Sequence, residues 1–260
     1  MCQSSTEPFE SIHVWHATSS HTEPGAVETY CERFLDPGEQ DRANRFRVAT
    51  SRNQHVIGRG MAKHLLAQAV MSEGIHPRSI RFSALPHGKP IVKTPPDLSL
   101  PFNVAHTNGL VLCGIGDRSL SLLGVDVEQL ERQPDPELAI RYFSAPEVEY
   151  VYSFSCRDRR NEAFLRVWTL KEAFIKAIGT GLHTPLSDFA FENIDDPSPT
   201  IRMLSPTLPS AGTWKFFSFT PRDAYIGAIA VATVDDRPAL SMELFDFDTV
   251  VRGVRSDVVP

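Results

Sequence analysis

A chain of 260 residues, 42% hydrophobic and 22% charged with a formal net charge of −6, has the apolar content to bury a core and too little charge to stay disordered. No apolar run approaches the roughly 20 residues that a membrane-spanning helix needs. The four cysteines (Cys2, Cys31, Cys113, Cys156) form no CxxC pair, which argues against a disulfide framework or structural zinc and predicts a reducing, cytoplasmic setting.

In chain order, Met1–Glu10 shows no basic region followed by an apolar one, so no secretory signal is expected. Residues 11–16, SIHVWH, read as a first strand. Residues 24–35 set Val27, Tyr30, Cys31 and Phe34 at helical spacing. Asp36-Pro37-Gly38-Glu39 is a helix start: Asp36 caps, Pro37 fits the first turn and Glu39 completes a capping box. From Ser51 to Met71, the spacing of Val56, Met61, Leu65, Leu66 and Ala69 predicts a long, mostly buried helix. His87-Gly88-Lys89-Pro90 is a turn. Strands are expected from Phe102, over 110–115 and over 120–127. Residues 136–155 read as helical, and 160–178 as the clearest helix, ended by Gly179-Thr180-Gly181. Residues 213–219 and 224–233 read as antiparallel strands, and the stretch from Asp235 as a tail wrapping the surface. Strand, helices, strands occur twice in this order. That predicts an α+β fold of two similar halves, 1–122 and 123–260.

Charge is unevenly distributed. Residues 40–93 hold ten basic and two acidic side chains, within an otherwise acidic chain. A basic block of this kind marks either a polyanion site or a solvated helix face. Overall acidity disfavours broad nucleic-acid binding, and a small, multiply phosphorylated ligand needs only one local pocket.

Two segments carry the chemistry. In Gly124-Val125-Asp126-Val127-Glu128, the period of a strand puts Asp126 and Glu128 on one face and the valines on the other. Paired carboxylates repel unless a cation lies between them or one is protonated, and hard oxygen ligands favour Mg²⁺ or Mn²⁺. A solvent-facing edge strand would read the same way. In Trp168-Thr169-Leu170-Lys171-Glu172-Ala173-Phe174-Ile175-Lys176, residues Trp168, Glu172 and Lys176 share one helix face. Glu172 then offers a third carboxylate or a general base, and Lys176 a cation for phosphate. An exposed salt bridge, worth about 0.3–0.5 kcal/mol, has the same spacing.

Together, these segments resemble the double signature of the 4′-phosphopantetheinyl transferase superfamily, in its larger single-chain, two-halves class of surfactin-synthetase type. Arg42-Ala43-Asn44-Arg45-Phe46 with Ser51-Arg52 resembles the family's basic helix entry, His87-Gly88-Lys89-Pro90 its GKP turn, and Phe102-Asn103-Val104-Ala105-His106 its F-N-x-S-H strand. The matches run in order from about residue 40 to 190. Ala105 stands where the family usually has Ser, and Val48, Ala49 and Thr50 where it is often charged.

The resemblance implies a pseudo-dimeric fold with the active site between the halves. It implies transfer of the phosphopantetheine arm of coenzyme A to a serine of an apo acyl or peptidyl carrier protein, with release of adenosine 3′,5′-bisphosphate. Asp126, Glu128 and Glu172 would hold Mg²⁺, with Mn²⁺ as the alternative. Glu172 would be the base, Lys176 would stabilise the leaving phosphate, and His106 would contact a coenzyme A phosphate. Coenzyme A would lie along Arg42, Arg45, Arg52, His87, Gly88, Lys89, Pro90, Asn103, Val104, Ala105, His106, Lys171 and Lys176. Its N-terminal half would take the coenzyme's phosphates and adenine, and its C-terminal half would carry the metal, catalytic helix and tail. Arg157, Arg159 and Arg160, near Tyr152 and Phe154, would dock the carrier. A cytoplasmic monomer, without nucleic acid or membrane as partner, is the expected state.

Overall fold

The computed structural model describes residues 11–70, 74–135, 137–206, 208, 212–233 and 240–256. The opening decapeptide with Cys2, Met71 at the end of the expected long helix, residue 136 and Asp235 lie outside the described residues. None of the described helices is long and apolar enough to cross a membrane.

Two sheets organise the α+β fold. The first has the order β11-β1-β5-β4, from β1 (Ser11–Thr18), β4 (Phe102–Thr107), β5 (Leu110–Ile115) and β11 (Ser241–Asp246). The second has the order β6-β10-β9, from β6 (Leu120–Gln129), β9 (Thr213–Phe219) and β10 (Tyr225–Thr233). Two small hairpins join them: β2 (Arg81–Ala84) with β3 (Pro90–Thr94), and β7 (Phe189–Glu192) with β8 (Thr200–Met203).

Strand alternation builds the layers. Val111 and Cys113 of β5 face a core made with Val56, Met61 and Leu66, whereas Leu110 and Leu112 face the second sheet. Val125 and Val127 of β6 and Ile229 and Val231 of β10 fill that space between the sheets. The opposite faces of β10, Ala228 and Ala230, meet Phe164, Leu170 and Phe174 of a helix. The result is helix, sheet, sheet, helix, and every strand face but the edges is covered.

The helices start and stop where their ends are satisfied. They are α1 (Ala26–Glu32), α2 (Pro37–Asn44), α3 (Ala49–Ala69), α4 (Glu137–Tyr142), α5 (Ala145–Tyr152), α6 (Arg157–Ile178) and α7 (Phe247–Ser256). At α2, Asp36 Oδ1 accepts from the Glu39 amide at 3.0 Å, and Glu39 Oε2 accepts from the Asp36 amide at 3.1 Å. Such a cap is worth about 1 kcal/mol. At the end of α6, Gly179 takes φ 75°, which only glycine adopts without strain.

The C-terminal segment departs from the expected surface tail. β11 pairs parallel with β1, residue Trp15 opposite Phe245, and those rings stack with centroids 4.6 Å apart. Phe247 of α7 is wholly buried in the first core against Tyr30 and His64. The physical reason is an open edge: β1 needs a partner on one side, and the apolar residues of SMELFDF supply it.

Candidate active site

The carboxylates of β6 face α6. Asp126 and Glu128 are buried, and Gly124 between them and the sheet's start lets the helix backbone at Ala173 and Ala177 approach the strand closely. Lys176 Nζ donates to Asp126 Oδ1 at 2.6 Å. The other oxygen of Asp126, Oδ2, is buried without a hydrogen-bond partner. Glu128 pairs with Arg132 and accepts from Thr107 Oγ1 at 3.4 Å.

The electrostatics reflect crowding of like charge in a poorly solvated place. Burial pushes Asp126 up to about 7; Lys176 draws it back, and Glu128 and Glu172 add to the rise. Burial likewise raises Glu172. Burial would lower Lys176, but Asp126, Glu172 and Glu128 more than offset that and hold it above its usual value. Asp126, Glu128 and Glu172 are therefore brought together with Lys176, as the shared faces of strand and helix predict.

A divalent cation suits this set by donor type, since all three carboxylates offer hard oxygen. It also suits the unpartnered Asp126 Oδ2, whose burial otherwise goes uncompensated. Among the described residues no three such groups already converge as a coordination cage, and the Lys176 ammonium is the cation next to Asp126.

One cavity adjoins this cluster, and a second borders the first. The first, of about 210 Å³, lies between the His87–Pro90 turn and the end of α6, and is lined by His87, Gly88, Lys89, Asn103 and Lys176. The second, of about 410 Å³, runs between α3 and β4 and is lined by Arg42, Gln54, His55, Arg59 and His106. Pro90 and Val104 border both. His106 shows an exposed edge at the rim, yet crowding by surrounding atoms, and then the Lys176 charge, hold it below the usual imidazole range.

Several residues expected at the ligand or at the carrier are engaged within the protein. Lys171 is fully buried: Nζ donates to the carbonyls of Leu186 (2.6 Å) and Phe189 (2.8 Å) and pairs with Glu147 at 2.8 Å. It sits one position from Glu172, about 100° around the helix, and so points into the core. Ala105 turns its methyl into the space between the sheets, because its neighbours Val104 and His106 take the cavity face of β4. Arg52 is bound to Glu32 at 2.6 Å, and Arg45 donates to the Asp41 carbonyl at 3.2 Å; neither lines a described cavity. Lys89 lines the smaller cavity, but its Nζ donates to the carbonyls of Leu123 (3.0 Å) and Ala177 (2.5 Å), and burial lowers it to about 8. Asn103 accepts from the Val125 amide at 3.0 Å and so ties β4 to β6. Arg160 donates to the Phe154 carbonyl at 3.0 Å and lies over Tyr152, while Arg159 pairs with Glu162.

Sequence reasoning missed Gln54, His55 and Arg59. The signal was present: Ser51, Gln54, His55, Gly58, Arg59 and Ala62 recur at i, i+3, i+4, i+7, i+8 and i+11, one whole face of α3. Reading that helix as mostly buried hid a polar face turned to a cavity.

The family model described as the 4′-phosphopantetheinyl transferase superfamily matches residues 122–230. The chain is 29% identical over 229 residues to the 4′-phosphopantetheinyl transferase HetI of Nostoc sp., covering 86% of this chain and 88% of that one. It is 32% identical over 177 residues to the 4′-phosphopantetheinyl transferase ffp of Bacillus subtilis, covering 64% of this chain and 75% of that one. The solved holo-[acyl-carrier-protein] synthase of Thermotoga maritima is 25% identical, with a TM-score of 0.38, over 45% of this chain and 65% of its own.

Proposed function

This chain belongs to the 4′-phosphopantetheinyl transferase superfamily and is an enzyme of that family, and we propose that it moves the phosphopantetheine arm of coenzyme A onto a serine of an apo acyl or peptidyl carrier protein, releasing adenosine 3′,5′-bisphosphate in a Mg²⁺-dependent reaction. One observation carries the reading: the Asp126–Lys176 pair, with Glu128 and Glu172 around it, opens through Lys176 on a cavity that Pro90 and Val104 share with a larger one, and both are lined by cationic side chains. Acidic groups beside a basic cleft suit a metal-assisted phosphoryl transfer.

Asp126, Glu128 and Glu172 would hold the cation, which when bound neutralises charge on the pyrophosphate. Mn²⁺ has the same oxygen preference. Glu172 accepts the proton of the carrier serine, and its burial-raised basicity suits that task. The serine oxygen bonds to the phosphorus bearing the pantetheine arm, and the pyrophosphate P–O bond breaks. Lys176 swings from Asp126 to stabilise the departing phosphate, and His106 and Arg42 hold the coenzyme's phosphates from the larger cavity. His87, Gly88, Lys89, Pro90, Asn103 and Val104 shape the wall on which the nucleotide rests. In this reading residues 1–122 and 123–260 act as the pseudo-dimeric halves, the first gripping the coenzyme and the second carrying the metal and catalytic helix. Since a single chain supplies both, a cytoplasmic monomer suffices, with coenzyme A and carrier as its partners.

Intact-mass spectrometry tests the proposal. A promiscuous apo carrier incubated with the protein, coenzyme A and Mg²⁺ gains one phosphopantetheine arm, one adenosine 3′,5′-bisphosphate appears per carrier, and EDTA abolishes both. Asp126→Ala and Glu172→Ala lose the transfer with the fold intact by circular dichroism. Near-normal transfer by either variant, or bisphosphate release without carrier, would overturn the assignment.

A further inference from the structure

The larger cavity holds a group that the proposed chemistry leaves unused. His55 lies on α3 with its ring against Phe46, centroids 5.3 Å apart. Its Nε2 is buried without a hydrogen-bond partner. The Glu39 backbone acts on the ring in the sense that raises its basicity, as a carbonyl facing a ring N–H does, and with Nε2 unpartnered the N–H is assigned to Nδ1. With Nδ1 donating, the neutral ring carries a bare lone pair on Nε2.

The surroundings are cationic. Arg59 from the same helix and Arg42 from α2 supply the charge, and they line the same cavity as His55 beside the His106 imidazole of β4. The carboxylates that act on Arg59, Glu39 and Asp36, are both engaged by Lys63. Burial, then Arg59 and Arg42, hold His55 down to about 4. An entering phosphate monoester reverses this balance. It meets two guanidiniums that bind it and one lone pair that repels it, and a proton on Nε2 turns the repulsion into a donated hydrogen bond.

We propose that His55 is a proton-coupled phosphate contact: when a phosphate monoester enters this cavity, Nε2 takes a proton from solvent and donates it in a hydrogen bond to a phosphate oxygen. The ligand itself undergoes no covalent change. The inference rests on the coenzyme A reading, in which the monoester is the coenzyme's 3′-phosphate. The sign follows from linkage. The complex holds more protons than its separated parts between the free and bound pKa of His55, so affinity in that window rises as pH falls.

Isothermal titration of the whole protein, in buffers of differing ionisation enthalpy, compares coenzyme A with dephospho-coenzyme A, which lacks the monoester. Between about pH 8 and about pH 7 the monoester is mostly dianionic, so proton uptake reports on the protein. Coenzyme A is expected to bind with proton uptake that dephospho-coenzyme A lacks. Its affinity advantage grows as pH falls, by at most about tenfold per unit for one linked proton. His55→Gln removes the uptake and flattens the pH profile, while Arg59→Gln weakens coenzyme A at every pH and keeps the uptake. Equal uptake for both ligands in the wild type, or uptake surviving in His55→Gln, overturns the proposal and leaves the coenzyme A reading standing. Failure of the wild type to bind either ligand overturns both.

Discussion

Lys171 and Lys176 lie on the same helix, and the period of that helix gives them opposite roles. Lys176 shares the face of Glu172 and reaches Asp126 across β6. Lys171 faces inward, where Glu147 and two carbonyls surround its ammonium and both partners are fully buried. Glu147 has further duties: it accepts from Ser144 and from the Phe191 amide. Lys171→Met would strand that carboxylate in the core, and removing one partner of a buried pair costs about 3–5 kcal/mol. Urea unfolding should show that loss in the midpoint, and a midpoint equal to wild type would mean that the pair contributes nothing. The same arithmetic explains what could be read from residues alone. Asp126 and Glu128 were legible because a strand alternates strictly, and Glu172 and Lys176 because four residues make about one helical turn. The inward turn of Lys171 and of Ala105 was legible too, in the 100° and 180° steps, but the resemblance to a family motif weighs a contiguous run equally. Arg45 and Arg52 line neither described cavity, and spacing does not show this, because a basic residue's partner, here Asp41's carbonyl and Glu32, is set by tertiary neighbours.

At the scale of elements, the pairing of β6 with α6 makes the site, and Gly124 sets their separation. A methyl there would meet the backbone of Ala173 and Ala177, which cannot yield as a flexible side chain would. Gly124→Ala should cost about 1–3 kcal/mol, as overpacking does. Because the displaced element carries Glu172 and Lys176, kcat for carrier modification should fall more than the KM for coenzyme A rises. Thermal denaturation and steady-state kinetics check this together; an unshifted Tm with normal kcat would show that the helix can step away freely. Most elements were legible. The capped start of α2, the apolar stripe of α6 and the alternation in β6 and β10 all state their structure locally. The short hairpins β2–β3 and β7–β8 were not, since four- and five-residue strands carry too little period to register.

For the whole molecule, the least legible feature is the return of the chain's end to its beginning. β11 lies 230 residues from its partner, Ser241 opposite Ser11, and its pattern is short and mixed in polarity. Only the open edge of β1 gives that segment a place, and an open edge is a property of the assembled sheet. The join is secured from three sides. Asp248 accepts from the Thr18 amide at 3.1 Å, Arg222 from the loop between β9 and β10 reaches Asp246 at 3.2 Å and Asp248 at 3.1 Å, and Phe247 fills the first core. The residues that would grip the coenzyme therefore depend on a segment that contains none of them. Phe247→Ala should destabilise the protein by about 3–5 kcal/mol, the usual cost of deleting a buried aromatic ring. His64 and Tyr30, which contact Phe247, belong to the α1–α3 layer whose far face lines the larger cavity. If the two sheets unfold as one unit, tryptophan fluorescence from Trp15 in the first sheet and from Trp168 and Trp214 on the second side should lose structure in a single urea transition at a lower midpoint. A transition confined to Trp15, with Trp168 and Trp214 unchanged in single-tryptophan variants, would show that the halves fold separately and that the tail serves only the first.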